Sequence, residues 1–254
     1  MSLTLRARLI ALSVAIVTVA MLALATANFL TVRGHVQSTV DAQSRQLVAA
    51  QARALGDWVE SKRLLTHTLT LAIDQPDPRG VLQALRDGGG FSDAYVGFPD
   101  KRTLFLNPMP DSYDVTSRPW YKQAVQEGKP IVTAPYLFTS PPEVGVTFAE
   151  PVGPAGNPTA VVGTDVLLTT VVRTVASIRP TPDSFAFLAN QAGAIVTHPD
   201  TALTLKPVST LSPNLQPAAM RELEQATTGM RTDINGTDYL LYSHTVPGTD
   251  WPLL

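Results

Sequence analysis

Val144-Gly-Val-Thr-Phe-Ala-Glu-Pro-Val152 and Thr159-Ala-Val-Val-Gly-Thr-Asp-Val-Leu-Leu168 are two apolar, β-branched runs separated by Gly153-Pro154-Ala155-Gly156-Asn157-Pro158. Such runs read as strands, and a Gly/Pro/Asn cluster between them reads as the tip of a hairpin. An antiparallel sheet is therefore expected at the centre of the fold. Along Val161, Gly163, Asp165 and Leu167 one face of the second strand is apolar except for a single carboxylate. An unpaired carboxylate in a buried strand is costly or becomes protonated. Asp165 should thus meet a cation. A bound ion or a ligand ammonium answers this on the functional reading, a private ion pair or a strand edge on the structural one.

Upstream of the hairpin, Ala94–Phe98, Pro99-Asp100-Lys101 and Thr103–Leu106 read as strand, turn and strand. The stretch Asp111–Tyr121 follows and concentrates Tyr113, Arg118, Trp120 and Tyr121 in a chain poor in aromatics and charge. Arg presents a rigid fork of donors, Trp an N–H that only donates, and Tyr a hydroxyl, a set suited to a planar anion. On the alternative reading, Trp120 and Tyr121 are core residues opening a helix and Arg118 is in a surface ion pair. A helix is expected over Pro119–Gln126, with proline in its first turn and a stop at Gly128. Ile131–Phe138 reads as one further strand, carrying Tyr136, and Thr169–Ile178 as a closing helix.

Beyond the Pro180-Thr181-Pro182 linker the plan repeats. Phe185–Leu188, a turn at Asn190–Gly193 and Ala194–Pro199 form a second strand-turn-strand unit. A helix over Pro217–Ala226 precedes the strands Met230–Ile234 and Thr237–Thr245, joined by Asn235-Gly236, which suits a type I′ turn. Asp250–Leu254 reads as the start of a strand, so this second module is expected to be incomplete.

The N-terminal third is different in kind. No charged residue occurs between Arg8 and Arg33, and the run Leu9–Val32 is rich in Leu, Ala, Val and Ile. As a helix it would reach ~36 Å, enough for a ~30 Å hydrocarbon core. Arg6 and Arg8 favour a cytoplasmic N-terminus for a retained anchor. A cleaved signal peptide, with Ala25-Thr26-Ala27 as its small-residue site, is the competing reading. From Val32 to Ile73 there is no proline, and Val36, Val40, Leu47, Val48, Leu55, Trp58, Val59 and Leu65 form one apolar stripe at helical spacing. A helix of that length implies a dimer partner or a domain packed alongside. Val81–Arg86 reads as a short helix closed by Gly88-Gly89-Gly90, which lack the Lys-Ser/Thr of a phosphate loop.

Composition narrows the function. The 254 residues carry a formal net charge of -2 and no cysteine. The charge balance offers no attraction for nucleic acid, and the missing thiols exclude disulfides and thiolate metal sites. There is no Gly-x-Ser-x-Gly and no His-Glu-x-x-His, and His35, His67, His198 and His244 are far apart in sequence. Neither a metal, a cofactor nor enzymatic chemistry is expected.

The anchor, long helix, two PAS-like modules and the pattern Tyr113-x4-Arg118-x-Trp120-Tyr121, with Tyr136 and Asp165 downstream, resemble the double Cache (dCache_1) ligand-binding regions of bacterial methyl-accepting chemotaxis receptors, in the subset that binds free amino acids. The resemblance implies an α/β (α+β) fold with antiparallel sheets. It divides the chain into a cytoplasmic N-terminus (1–8), a transmembrane helix (9–32), a stalk and dimerisation helix (33–75), a membrane-distal ligand-binding module (76–180) and a truncated membrane-proximal module (181–254). It implies an L-amino acid as ligand, with Tyr113, Arg118 and Trp120 taking the carboxylate. Tyr121, Tyr136 and Asp165 would take the ammonium. Phe138 stands where many family members carry a polar or acidic residue that helps with the ammonium, and being apolar would instead line the side-chain pocket. The implied setting is a homodimer in the bacterial inner membrane with its sensor in the periplasm. A sensor for an amine, purine or carboxylate feeding a kinase or cyclase is the alternative within the class, and a membrane-anchored periplasmic enzyme the alternative outside it.

Overall fold

A computed structural model describes residues 5–140, 142–176, 178 and 183–254; the Pro180-Thr181-Pro182 linker lies outside the described residues. The two N-terminal helices expected from sequence are one continuous helix, α1 (Leu5–His67), extended by a 3-10 turn over Thr68–Ala72. The chain divides into two compact units, 1–44 and 45–254. In the first, the large apolar side chains from Val14 to Val40 are exposed. This helix is long and apolar enough to cross a membrane.

The second unit is built on the predicted hairpin. A six-stranded antiparallel sheet comprises β1 (Asp93–Gly97), β2 (Thr103–Phe105), β3 (Ile131–Val132), β4 (Tyr136–Leu137), β5 (Val144–Val152) and β6 (Ala160–Leu167). Its order is β2-β1-β6-β5-β3, with β4 also pairing β5. The single strand expected over Ile131–Phe138 is thus two short ones: Pro135 has no N–H to donate, and Thr133 spends its side-chain oxygen on the Thr147 N–H. Helix α2 (Arg79–Gly89) runs through two of the glycines expected to stop it; Gly90, at φ 63°, is the cap. Helices α3 (Pro119–Glu127) and α4 (Leu168–Ala176) complete this part.

Strand alternation gives the sheet two different faces. Ala94, Val96, Val146, Phe148, Val162 and Val166 share a core with Ala52, Leu55 and Val59 of α1. Tyr95, Ala149 and Val161 face the other way, under Val115 and the α3 residues Trp120, Tyr121 and Ala124. The sheet is therefore a middle layer. On the α1 side, Thr164 of β6 hydrogen-bonds Thr66 of α1, hydroxyl to hydroxyl at 2.6 Å.

Downstream lie β7 (Leu188–Ala189), β8 (Ile195–Thr197), α5 (Pro217–Gln225), β9 (Met230–Ile234), β10 (Thr237–Leu241), β11 (His244–Thr245) and β12 (Pro252–Leu253). The β9–β10 turn has positive φ at both Asn235 and Gly236, as a type I′ turn requires. The run expected to be strand through Thr245 breaks at Tyr242, so that β11 joins a different sheet of order β11-β12-β7-β8. Read from β8, this order repeats β2-β1-β6-β5 of the larger sheet. Leu188, Val196, Trp251 and Leu253 of the smaller sheet and its flanks belong to the same apolar cluster as the larger sheet and α1.

Candidate functional site

The site forms where α3, the turn before it and the sheet face opposite α1 converge. Asp114 caps the 3-10 turn Val115–Ser117 by accepting from the Thr116 N–H and O–H at 3.0 and 2.6 Å. Its other oxygen meets Lys101 Nζ at 2.6 Å, and with Thr116 this holds the Asp114 carboxyl down at about 2. Arg118 comes next, extended at φ -76° and ψ 147°, the region to which the following proline confines it. Pro119 then starts α3, so Arg118 stands at the helix entrance and Trp120 faces inward.

A narrow cleft, open to solvent, is lined at one end by Tyr113, Arg118 and Trp120. Burial raises the Tyr113 phenol, while its neighbours Trp120 and Arg118 oppose this; the Arg118 guanidinium lies over the Tyr113 ring, 5.6 Å from its centroid. Among the described residues Arg118 forms no ion pair. This end of the cleft is cationic and rich in donors.

The other end is anionic and rich in acceptors. Strand register places Asp93, Asp165 and Thr147 opposite one another on β1, β6 and β5, one row on the cleft-side face. Asp165 is 8% exposed, and its Oδ1 accepts from Tyr95 and Thr147 hydroxyls, both at 2.6 Å. Among the described residues its Oδ2 accepts nothing. Because the Thr147 proton goes to Asp165, the 2.6 Å contact between Thr147 and Tyr136 has Tyr136 as donor. Tyr136 then offers only lone pairs to the cleft. Burial pushes the Asp165 carboxyl up to about 7, with the two hydroxyl donors opposing and nearby Asp93 adding to the rise. Asp93 is itself raised by burial, against bonds from the Ala94 N–H at 2.8 Å and Asn107 at 3.2 Å.

Of the residues marked in the sequence, Tyr113, Arg118, Trp120, Tyr136, Phe138 and Asp165 all line this cleft. Tyr121 does not, which corrects its expected place at the ammonium. Successive helix residues diverge by about 100°, so with Trp120 turned in, Tyr121 turns away. It is buried in the α3 core edge-on to Trp120, over Gly97, and the charge it feels is that of Asp100. Three residues escaped the sequence reading: Thr147 and Tyr95, which bond Asp165, and Asp93 beside it. Their polarity was visible, but only strand register puts them in one row. Among the described residues no three His, Asp or Glu side chains converge as a metal site.

Residues 90–173 match the family described as methyl-accepting chemotaxis protein-like, first PDC sensor domain. The methyl-accepting chemotaxis protein PctB of Pseudomonas aeruginosa is 29% identical over 192 residues, 73% of this chain and 30% of that receptor. The chain thus spans about a third of the length of the curated relatives it matches, PscA of Pseudomonas syringae being covered to 33%. The ligand-binding domain of PctB, solved in complex with L-Arg, superposes with a TM-score of 0.69 at 27% identity, covering 84% of this chain and 93% of that one. The ligand-binding domain of the Pseudomonas fluorescens chemoreceptor CtaA, solved with L-leucine, shares the fold at a TM-score of 0.74 and 23% identity over 87% of this chain and 95% of that one.

Proposed function

We propose that the chain is the input region of a transmembrane chemoreceptor binding free L-amino acids, on the match of residues 90–173 to the first PDC sensor domain of methyl-accepting chemotaxis protein-like proteins. One observation carries this reading. A cation and a carboxylate, Arg118 and Asp165, line one cleft, and neither has a countercharge within ion-pair distance among the described residues. A zwitterion satisfies both at once. Its carboxylate is taken by the Arg118 fork with Tyr113 and Trp120; its ammonium donates to Asp165 Oδ2 and to the Tyr136 lone pairs. Complexes of a similar domain with L-Arg and L-Gln support the ligand class. A simple amine leaves Arg118 unmet, and a simple carboxylate leaves Asp165 unmet. The role is binding rather than catalysis.

The apolar part of α1 is proposed as the membrane anchor, with 45–254 in the periplasm. Leu64 and Leu71, 61% and 72% exposed and one heptad apart, are proposed to meet a second copy. Titration calorimetry of the whole chain in detergent with L-amino acids tests the site. Arg118→Ala should weaken binding by over a hundredfold, about 3 kcal/mol, since two charge-assisted bonds are lost. Unchanged affinity in that variant would remove Arg118 from the site.

A further inference from the structure

With the two ends of the cleft assigned to the two ligand charges, the remaining walls are Phe105, Met109, Phe138, Thr139 and Ser140. None of these is ionisable. Phe138 is the most constrained: 6% exposed, edge-on to Tyr136 at 5.2 Å and 76°, and pressed so closely over Gly145 that a Cβ at that glycine would overlap its ring. Its N–H is held by the Glu143 carbonyl at 2.8 Å. Phe105 is likewise fixed, stacked on Tyr95 at 4.5 Å and edge-on to Tyr113 at 5.4 Å. Met109 is the adaptable wall, an unbranched side chain that fits irregular shapes. Asp93, opposite Asp165 on β1, does not line the cleft and already has two donors.

Resting on the amino-acid reading, we propose that this site takes L-α-amino acids with uncharged side chains, aliphatic or hydroxyl-bearing, and that Phe138 is the residue excluding charged ones. A methyl or thioether gains contact with Phe105, Met109 and Phe138. A short hydroxyl can reach Thr139 or Ser140. An ammonium, guanidinium or second carboxylate packed against the buried Phe138 ring would lose hydration there without a partner, a steeper penalty than a change of size. One methylene more or less discriminates by only ~10–200-fold in an apolar pocket, so the ranking among aliphatic ligands is shallow and the divide at charge is sharp. In this respect the chain parts from a relative solved with L-Arg, whose side chain brings a guanidinium.

The test is calorimetry on the whole chain in detergent with L-alanine, L-serine, L-valine and L-leucine against L-lysine, L-arginine, L-aspartate and L-glutamate. The uncharged set should bind at least a hundredfold more tightly than the charged set. Phe138→Asp should then admit L-lysine and L-arginine with at least a tenfold gain, while Phe138→Ala should improve L-leucine relative to L-alanine and relieve the exclusion of charged ligands by a smaller factor than Phe138→Asp. Charged ligands binding the wild type as tightly as L-alanine overturn the inference and leave the amino-acid reading standing. The wild-type panel decides this even if neither variant folds. An unchanged ranking in both folded variants overturns the role of Phe138. If none of the eight ligands gives heat or a thermal shift, the amino-acid reading itself fails.

Discussion

The two sheets share a strand order but differ on one face. In the larger sheet, the face turned away from α1 carries Asp93, Tyr95, Thr147 and Asp165 around a cleft. In the smaller, the corresponding face carries Phe187, Ala189, Ile195 and Leu254, closed over by Leu215, Met220 and Leu223. Phe187 and Leu254 exchange both backbone hydrogen bonds, at 3.0 and 2.9 Å, where β1 and β6 oppose Asp93 to Asp165. Burial lowers the pKa of His198, beside this core; its Nδ1 accepts from the Asp200 N–H, and its ring lies edge-on to Phe185 at 5.3 Å. One module has spent the face on a core, and the other has kept it polar and open. The comparison teaches that the fold supplies a place for a ligand, and that residue choice at a few register positions decides whether it is filled from within.

The largest expected effect that would break this comparison lies in the filled module. Phe187→Ala should lower stability by about 3–5 kcal/mol, read from denaturant unfolding, while ligand affinity in the folded protein stays within twofold. A matching loss of affinity would show that the smaller sheet takes part in binding.

Asp165→Asn sharpens the contrast from the other side. The Asp165 carboxyl is raised to about 7 in the folded protein from the ordinary carboxylate value of 3.8. Its protonated form is thus favoured by folding: that contribution is complete below pH 4 and is lost as pH rises through 7. At pH 8 the neutral amide should make the unliganded protein more stable by on the order of 1–3 kcal/mol, with ligand binding abolished. Equal stability of variant and wild type at pH 8 would contradict the burial of a charge there. For the wild type, affinity should fall towards tenfold per pH unit below 7, as the carboxylate that receives the ammonium is protonated. A flat profile from pH 5 to 8 would count against Asp165 as the ammonium partner.

The smallest effect concerns the hub of the polar row. Thr147→Val keeps the volume but removes a donor to Asp165 and the acceptor for Tyr136. A loss of about tenfold in affinity, ~1.4 kcal/mol, with little change in unfolding midpoint is expected from calorimetry and thermal denaturation.

How far the sequence could be read follows from the range of the forces involved. The Val144–Leu168 hairpin, the Asn235-Gly236 turn and α3 were legible because alternation, glycine and proline act locally. Arg118 and Asp165 were legible as charges needing partners, and Phe138 as an apolar residue beside them. Tyr121 was misplaced because its motif position says nothing of its direction, which the helical twist after Trp120 sets. Thr147, Tyr95 and Asp93 went unread because their meeting depends on the pairing of three strands distant in sequence. The split of Ile131–Phe138 is of the same kind, since both halves are long enough to be strand and only pairing with β5 divides them.

Thr164 and Asp165 are consecutive on β6, and alternation sends them to opposite faces: Asp165 to the cleft, Thr164 to its hydroxyl contact with Thr66 of α1. The carboxylate proposed for the ligand's ammonium and the hydroxyl contact with the long helix are therefore separated by a single peptide unit, which is planar and stiff. On that proposal, a ligand drawn onto Asp165 acts next to Thr66 with no further element of the fold between them.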